Sequence, residues 1–135
     1  MNDNHLPKIL IVDDEQPLQR ALQAKFELSG FEVAIAVNGE AGLASALKNH
    51  PDVILLDIVM PKMDGMTMLH KLREDAWGRN AKVIFLTNLS TSEKVTEAVS
   101  NRVFDYLVKS DWKIESVVDK VRMILGIKPP TANQS

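Results

Sequence analysis

The 135-residue sequence has no cysteine, which rules out a disulfide framework, a thiol nucleophile and a cysteine metal site together. It has no excess of basic charge either. Sixteen Lys and Arg stand against eighteen Asp and Glu, for a formal net charge of −2. A surface built mainly to hold nucleic acid would instead need a basic excess to neutralise phosphates. No apolar run approaches the length of a membrane span, and "MNDNHLPKIL" lacks the basic segment and long apolar stretch of a secretory leader. Neither an internal repeat nor a low-complexity tract is present. These absences point to a soluble cytoplasmic protein without nucleic-acid or membrane binding of its own. With 45% hydrophobic and 25% charged residues, the length fits one globular domain around a single core.

Five short apolar runs recur: "KILIV" (8–12), "FEVAIA" (31–36), "DVILL" (52–56), "KVIFL" (82–86) and "DYLVK" (105–109). Each has the length and branched-residue content of a β-strand. Between them, apolar residues recur at helical spacing: Leu18, Leu22 and Phe26; Ala41, Ala44 and Leu47; Met66, Leu69 and Leu72; Val95, Ala98 and Val99; and Ile114, Val117, Val118, Val121 and Leu125. Gly30, Pro51 and Gly126 stand where the first, second and fifth helices should stop. Alternating strands and helices predict a doubly wound α/β domain, because parallel neighbours need a helix-length, right-handed crossover. Near-continuous apolar strands suit a sheet covered on both faces, and the more alternating second strand suits an edge.

Ligands of such sheets bind beyond the carboxyl ends of the strands, so the residues that leave each strand carry the functional reading. The first strand runs into Asp13-Asp14-Glu15, the third into Asp57, the fourth into Thr87-Asn88 and the fifth into Lys109-Ser110. Crowded carboxylates resist ionisation unless a cation joins them. Hard oxygen donors open to water suit Mg²⁺. A bound Mg²⁺ and the Lys109 ammonium could neutralise an incoming phosphoryl group, with Asp57 as the oxygen nucleophile.

The segments "ILIVDDE", "VILLDIVMPKMDG", "VIFLTN" and "DYLVKS", in this order and spacing, resemble the four signature regions of the bacterial two-component response-regulator receiver domain. The resemblance covers residues 7–126, leaving 1–6 as an extension and 127–135 as a tail or cut linker. It implies a flavodoxin-like five-stranded parallel sheet of order 2-1-3-4-5 with five helices. It also implies that Asp57 accepts phosphate from a histidine kinase or phosphotransfer protein. Asp14, Asp57 and the backbone carbonyl of Val59 would hold Mg²⁺ directly, and Asp13 would act mainly through water. Thr87 and Lys109 would contact the phosphoryl oxygens. Thr87 and Tyr106 would form a switch that reaches a downstream protein target or a homodimer through the face of the fourth helix, fifth strand and fifth helix. Such a domain catalyses only its own phosphorylation and dephosphorylation.

The sequence departs from this family at two places. Ser110 follows Lys109 where the family usually has proline in a cis peptide, and a cis bond without proline costs about 2.5–4 kcal/mol. The Lys109-Ser110 bond is therefore either trans or strained. Asn88 stands where the family favours a smaller residue, and its amide could narrow access to the phosphoryl group.

Plainer readings exist for each piece. Asp13 and Asp14 could cap the first helix or favour its positive end, Asp64-Gly65 reads as turn chemistry, and Tyr106 could be an ordinary strand residue. Met60, Met63, Met66 and Met68 suit loop and core filling. Trp77 and Trp112 read as packing residues. His5, His50 and His70 are scattered.

Competing functions are weaker. An aspartyl-phosphate phosphatase of the haloacid dehalogenase type needs a second acid two residues after its nucleophile, where this chain has Val59. Flavin binding would rest on fold alone, and the acidic segment after the first strand is unsuited to a phosphate loop. A degenerate receiver that dimerises without phosphate would not need all five site residues.

Val59 and Leu89, two residues beyond Asp57 and Thr87, should flank the route of a hydrolytic water, and neither side chain can orient it. Spontaneous dephosphorylation should therefore be slow, and Leu89→Glu should not slow it further. A time course of phosphate loss from the two proteins checks this, and a longer lifetime in the variant would refute it.

Overall fold

The computed structural model describes residues 6–58, 60, 63–87, 105–108 and 113–127. Its strands form where branched residues run without interruption: β1 (Lys8–Val12), β2 (Glu32–Ala36), β3 (Val53–Asp57), β4 (Val83–Thr87) and β5 (Asp105–Val108). They make one parallel five-stranded sheet in the order β2-β1-β3-β4-β5. The described residues add α1 (Gln16–Leu28), α2 (Gly39–Asn49), α3 (Gly65–Glu74), a 3₁₀ turn at Gly78–Asn80, and α4 (Ile114–Leu125), the fifth helix of the sequence reading. The stripe of Val95, Ala98 and Val99 lies outside the described residues, as do Trp112 and His5. No helix among the described residues is long and apolar enough to cross a membrane.

Strand side chains alternate between faces, and both faces are covered. Leu10, Val12, Ile54, Leu56, Val83 and Phe85 pack with Ala46 of α2 and Met66, Met68, Leu69 and Leu72 of α3. Ile9, Ile11, Val53, Leu55, Ile84 and Leu86 pack with Leu22 and Phe26 of α1 and Val117, Val118 and Val121 of α4. The domain therefore has two cores separated by the sheet, where composition suggested one. This is why β1, β3 and β4 read as continuous apolar runs. β2 lies at the edge and its exposure alternates, as its sequence indicated.

Two helical faces differ from expectation. In α2 the buried residues are Gly39, Gly42 and Ala46, whereas Ala41, Ala44 and Leu47 are exposed. The helix lies close to the sheet: a Cβ on Gly42 would come within 2.9 Å of both Val12 methyl groups and 3.1 Å of the Met68 sulfur. Small residues therefore define its inner face, and apolar spacing alone picks the wrong one. In α1 the buried stripe is Gln19, Leu22 and Phe26, with Leu18 only half-buried.

Helix ends follow local chemistry. Gly30 (φ +93°) and Gly126 (φ +70°) take the left-handed conformation that ends α1 and α4. His50 ends α2 with φ +49° and stacks on Trp77, with ring centroids 4.3 Å apart and planes 7° from parallel. Asp64 is the N-cap of α3, its Oδ1 accepting the Thr67 N–H at 2.9 Å. Met60, Met66 and Met68 are buried in the core beneath α3, with Met63 packed against it. These four methionines are filling, as read from sequence.

Gly65 fixes where α3 starts. Its N–H donates to the Ile58 carbonyl at 2.8 Å, and a Cβ there would collide with the Asp57 carbonyl oxygen and approach the Ile58 Cα. Because the obstacles are backbone atoms, Gly65→Ala must move either α3 or the end of β3. It should lower stability by about 1–3 kcal/mol, read as a reduced midpoint in urea with an unchanged slope.

Candidate functional site

Register brings the carboxylates together. Val12 of β1 pairs with Leu56 of β3, so the next residue on each strand, Asp13 and Asp57, leaves the sheet beside the other. Asp57 itself pairs with Leu86 of β4, and Ile58 N–H still donates to the Leu86 carbonyl at 3.2 Å. The acid is thus the last residue of the strand, paired with β4 one residue beyond the last β1–β3 pair, rather than the first residue of a loop.

Asp13, Asp14 and Asp57 each present a carboxylate oxygen, and these three oxygens lie within 4.8 Å of one another. Asp13 is fully buried, Asp57 is 5% exposed, and Asp14 is open to solvent. Two like charges about 5 Å apart repel by roughly 3 kcal/mol at an effective dielectric of ~20. A cation among them would reverse that balance. The donor set is all hard oxygen with one open side, which fits Mg²⁺ or another hard divalent ion. Oxygens on opposite sides of such an ion stand about 4 Å apart, comparable to the observed 4.8 Å spread.

The Asp13-Asp14 pair does not cap α1. The N-cap is Glu15, which makes no side-chain capping bond, and Pro17 occupies the first turn. Asp13 instead accepts the Glu15 N–H on Oδ1 at 2.8 Å and donates its own N–H to the Ala36 carbonyl of β2 at 3.1 Å.

Thr87 ends β4, and its backbone pairs with Val108 of β5. It therefore reaches the same sheet edge as Asp13 and Asp57. Tyr106 lies within β5, paired with Phe85. Val59, Asn88, Leu89, Lys109 and Ser110 lie outside the described residues.

Two contributions escaped the sequence reading. Gln19 is buried in α1, and its Nε2 donates to the Asp13 carbonyl. The signal was available, since a polar residue three before Leu22 and seven before Phe26 occupies a core-facing helical position. Gly39 is the other: its N–H donates to the Met63 carbonyl at 3.0 Å, and a Cβ there would strike that oxygen. This contact ties the start of α2 to the segment that follows Asp57.

Comparison with known proteins agrees with this architecture. The family profile of the response regulator receiver domain matches residues 9–122. Over 129 residues the chain is 36% identical to the transcriptional regulatory protein PrrA of Mycobacterium tuberculosis, covering 96% of this chain and 54% of that protein. The chain spans about half the length of the first curated relatives it matches. Among solved structures, the Francisella response regulator 1452 receiver domain superposes with a TM-score of 0.81 at 31% identity, covering 89% of this chain and 97% of that one. A CheY-like receiver domain protein from Methanospirillum hungatei gives a TM-score of 0.84 at 26% identity, covering 90% and 95% respectively. With a family match over most of its length, a parallel sheet of order β2-β1-β3-β4-β5 and an acidic trio at its carboxyl edge, the chain belongs to the response regulator receiver domains of two-component systems.

Proposed function

We propose that the chain is a phosphorylation-controlled signalling module in which Asp57 is the phosphoacceptor. The observation that carries this reading is the convergence of Asp13, Asp14 and Asp57 within 4.8 Å, with Asp57 anchored at the end of a central strand. An Asp57 oxygen attacks the phosphorus of a phosphohistidine on a kinase or phosphotransfer protein. The P–N bond breaks, its electron pair leaves with the imidazole nitrogen, and that nitrogen takes up a proton from solvent. Asp14, Asp57 and the Val59 carbonyl would hold Mg²⁺ directly and Asp13 mainly through water, and the ion when bound would supply neutralisation of the phosphoryl oxygens. Thr87 and Lys109 bind the remaining phosphoryl oxygens.

Movement of Thr87 toward the phosphoryl group, coupled to Tyr106 on β5, would alter the face that the family resemblance assigns to the fourth helix, fifth strand and fifth helix of the sequence reading. That face then binds a downstream protein or a second copy. The chain thus acts on its own side chain instead of turning over an external substrate. Its net charge of −2 supports a protein partner over direct nucleic-acid binding, and the reaction belongs in the cytoplasm beside a kinase.

Incubation with Mg²⁺ and acetyl phosphate should give one acid-stable, base-labile adduct of a phosphoryl group by mass spectrometry. Chelation with EDTA and Asp57→Asn should each abolish it. An adduct that persists in Asp57→Asn, or sustained hydrolysis of phosphate esters by the wild type, would contradict the proposal.

A further inference from the structure

The inner face of α1 buries one side-chain amide. Gln19 is 7% exposed and aligned with Leu22 and Phe26, both fully buried. Burying an amide in an apolar layer is unfavourable unless it finds a hydrogen-bond partner. Gln19 finds one: its Nε2 donates to the main-chain carbonyl of Asp13.

That carbonyl belongs to the peptide unit joining Asp13 to Asp14. The peptide is planar, so its orientation jointly sets where the two residues direct their side chains. Asp13 also bonds through its N–H to the Ala36 carbonyl and through its Oδ1 to the Glu15 N–H. The first fixes the Asp13 nitrogen against β2, and the second ties its carboxylate to the following turn. Neither bond involves the Asp13 carbonyl. The Gln19 amide reaches that carbonyl from the inner face of α1.

We propose that Gln19 is a positioning residue for the divalent-ion site: by fixing the Asp13-Asp14 peptide plane from α1, it sets the separation of the carboxylates that receive the ion. This rests on the reading of Asp13, Asp14 and Asp57 as an ion site. Gln19 touches neither ion nor phosphoryl group, so its effect appears first in ion affinity. An apolar residue of the same length fills the same space while removing this donor from the Asp13 carbonyl.

The test is Mn²⁺ binding to the full chain, followed by the loss of free-ion signal in electron paramagnetic resonance. Wild type, Gln19→Met and Leu22→Ala are compared well below their melting temperatures. Gln19→Met should bind Mn²⁺ about tenfold more weakly, the scale expected when a hydrogen bond orienting a ligand is lost. Leu22→Ala removes more core volume from the same helix face without touching Asp13, and it should melt earlier yet keep wild-type affinity.

If Gln19→Met does not fold, Gln19→Asn, whose amide falls short by one methylene, should show the same loss. Unchanged affinity in the Gln19 variant, or an equal loss in Leu22→Ala, would overturn the positioning role while leaving the ion site standing. Absence of Mn²⁺ uptake by the wild type would instead overturn the ion-site reading itself and the inference with it.

Discussion

The in-register pairing of β1 with β3 is the constraint on which the site depends. Val12 opposite Leu56 sets Asp13 beside Asp57, and the two carboxylates would separate if the chain were free to relax. It is not free, because the residues preceding both acids are buried in the two cores on either side of the sheet. A shift of one residue would send every apolar strand side chain to the opposite layer. The burial of some dozen branched and aromatic side chains, each contributing about 1.5–3 kcal/mol, outweighs a repulsion of a few kcal/mol. Packing of the two cores thus holds the three carboxylates within 4.8 Å of one another, a spacing that a divalent ion would relieve.

The loops around the acids are tied to both helical layers. On one side, α1 reaches the Asp13 carbonyl through Gln19. On the other, the start of α3 bonds to Ile58 through Gly65, and the start of α2 bonds to Met63 through Gly39. Both glycines sit where a Cβ would collide with backbone oxygen. Asp64 and Gly65, which read as turn residues, are better described as the joint that seats α3 against the end of β3.

The parallel sheet and the gathering of Asp13, Asp14 and Asp57 at its carboxyl edge were readable because alternating strands and helices with helix-length crossovers leave few arrangements, whereas the strand order came from the resemblance of the four signature segments to receiver domains. The edge position of β2 was readable from its alternation. The inner face of α2 was not. Ala41, Ala44 and Leu47 have the right spacing, but Gly39, Gly42 and Ala46 face the sheet, since closeness of approach there is worth more than side-chain area. Gln19 was passed over in favour of Leu18 for a related reason. Apolar spacing ranks residues by hydrophobicity, while the buried amide is retained for a backbone carbonyl that only folding brings near.

The sequence by itself determined the alternation of strands and helices, the parallel sheet and the identity of the acids at its carboxyl edge, because these follow from local periodicity and from which residues end each strand. Tertiary structure alone decided how close Asp57 comes to Asp13 and Asp14, which face of α2 is buried, and that Gln19 holds Asp13 from a neighbouring helix. Each of those depends on contacts between segments distant in the chain, whose distances are set by packing and carry no local signature in the order of residues.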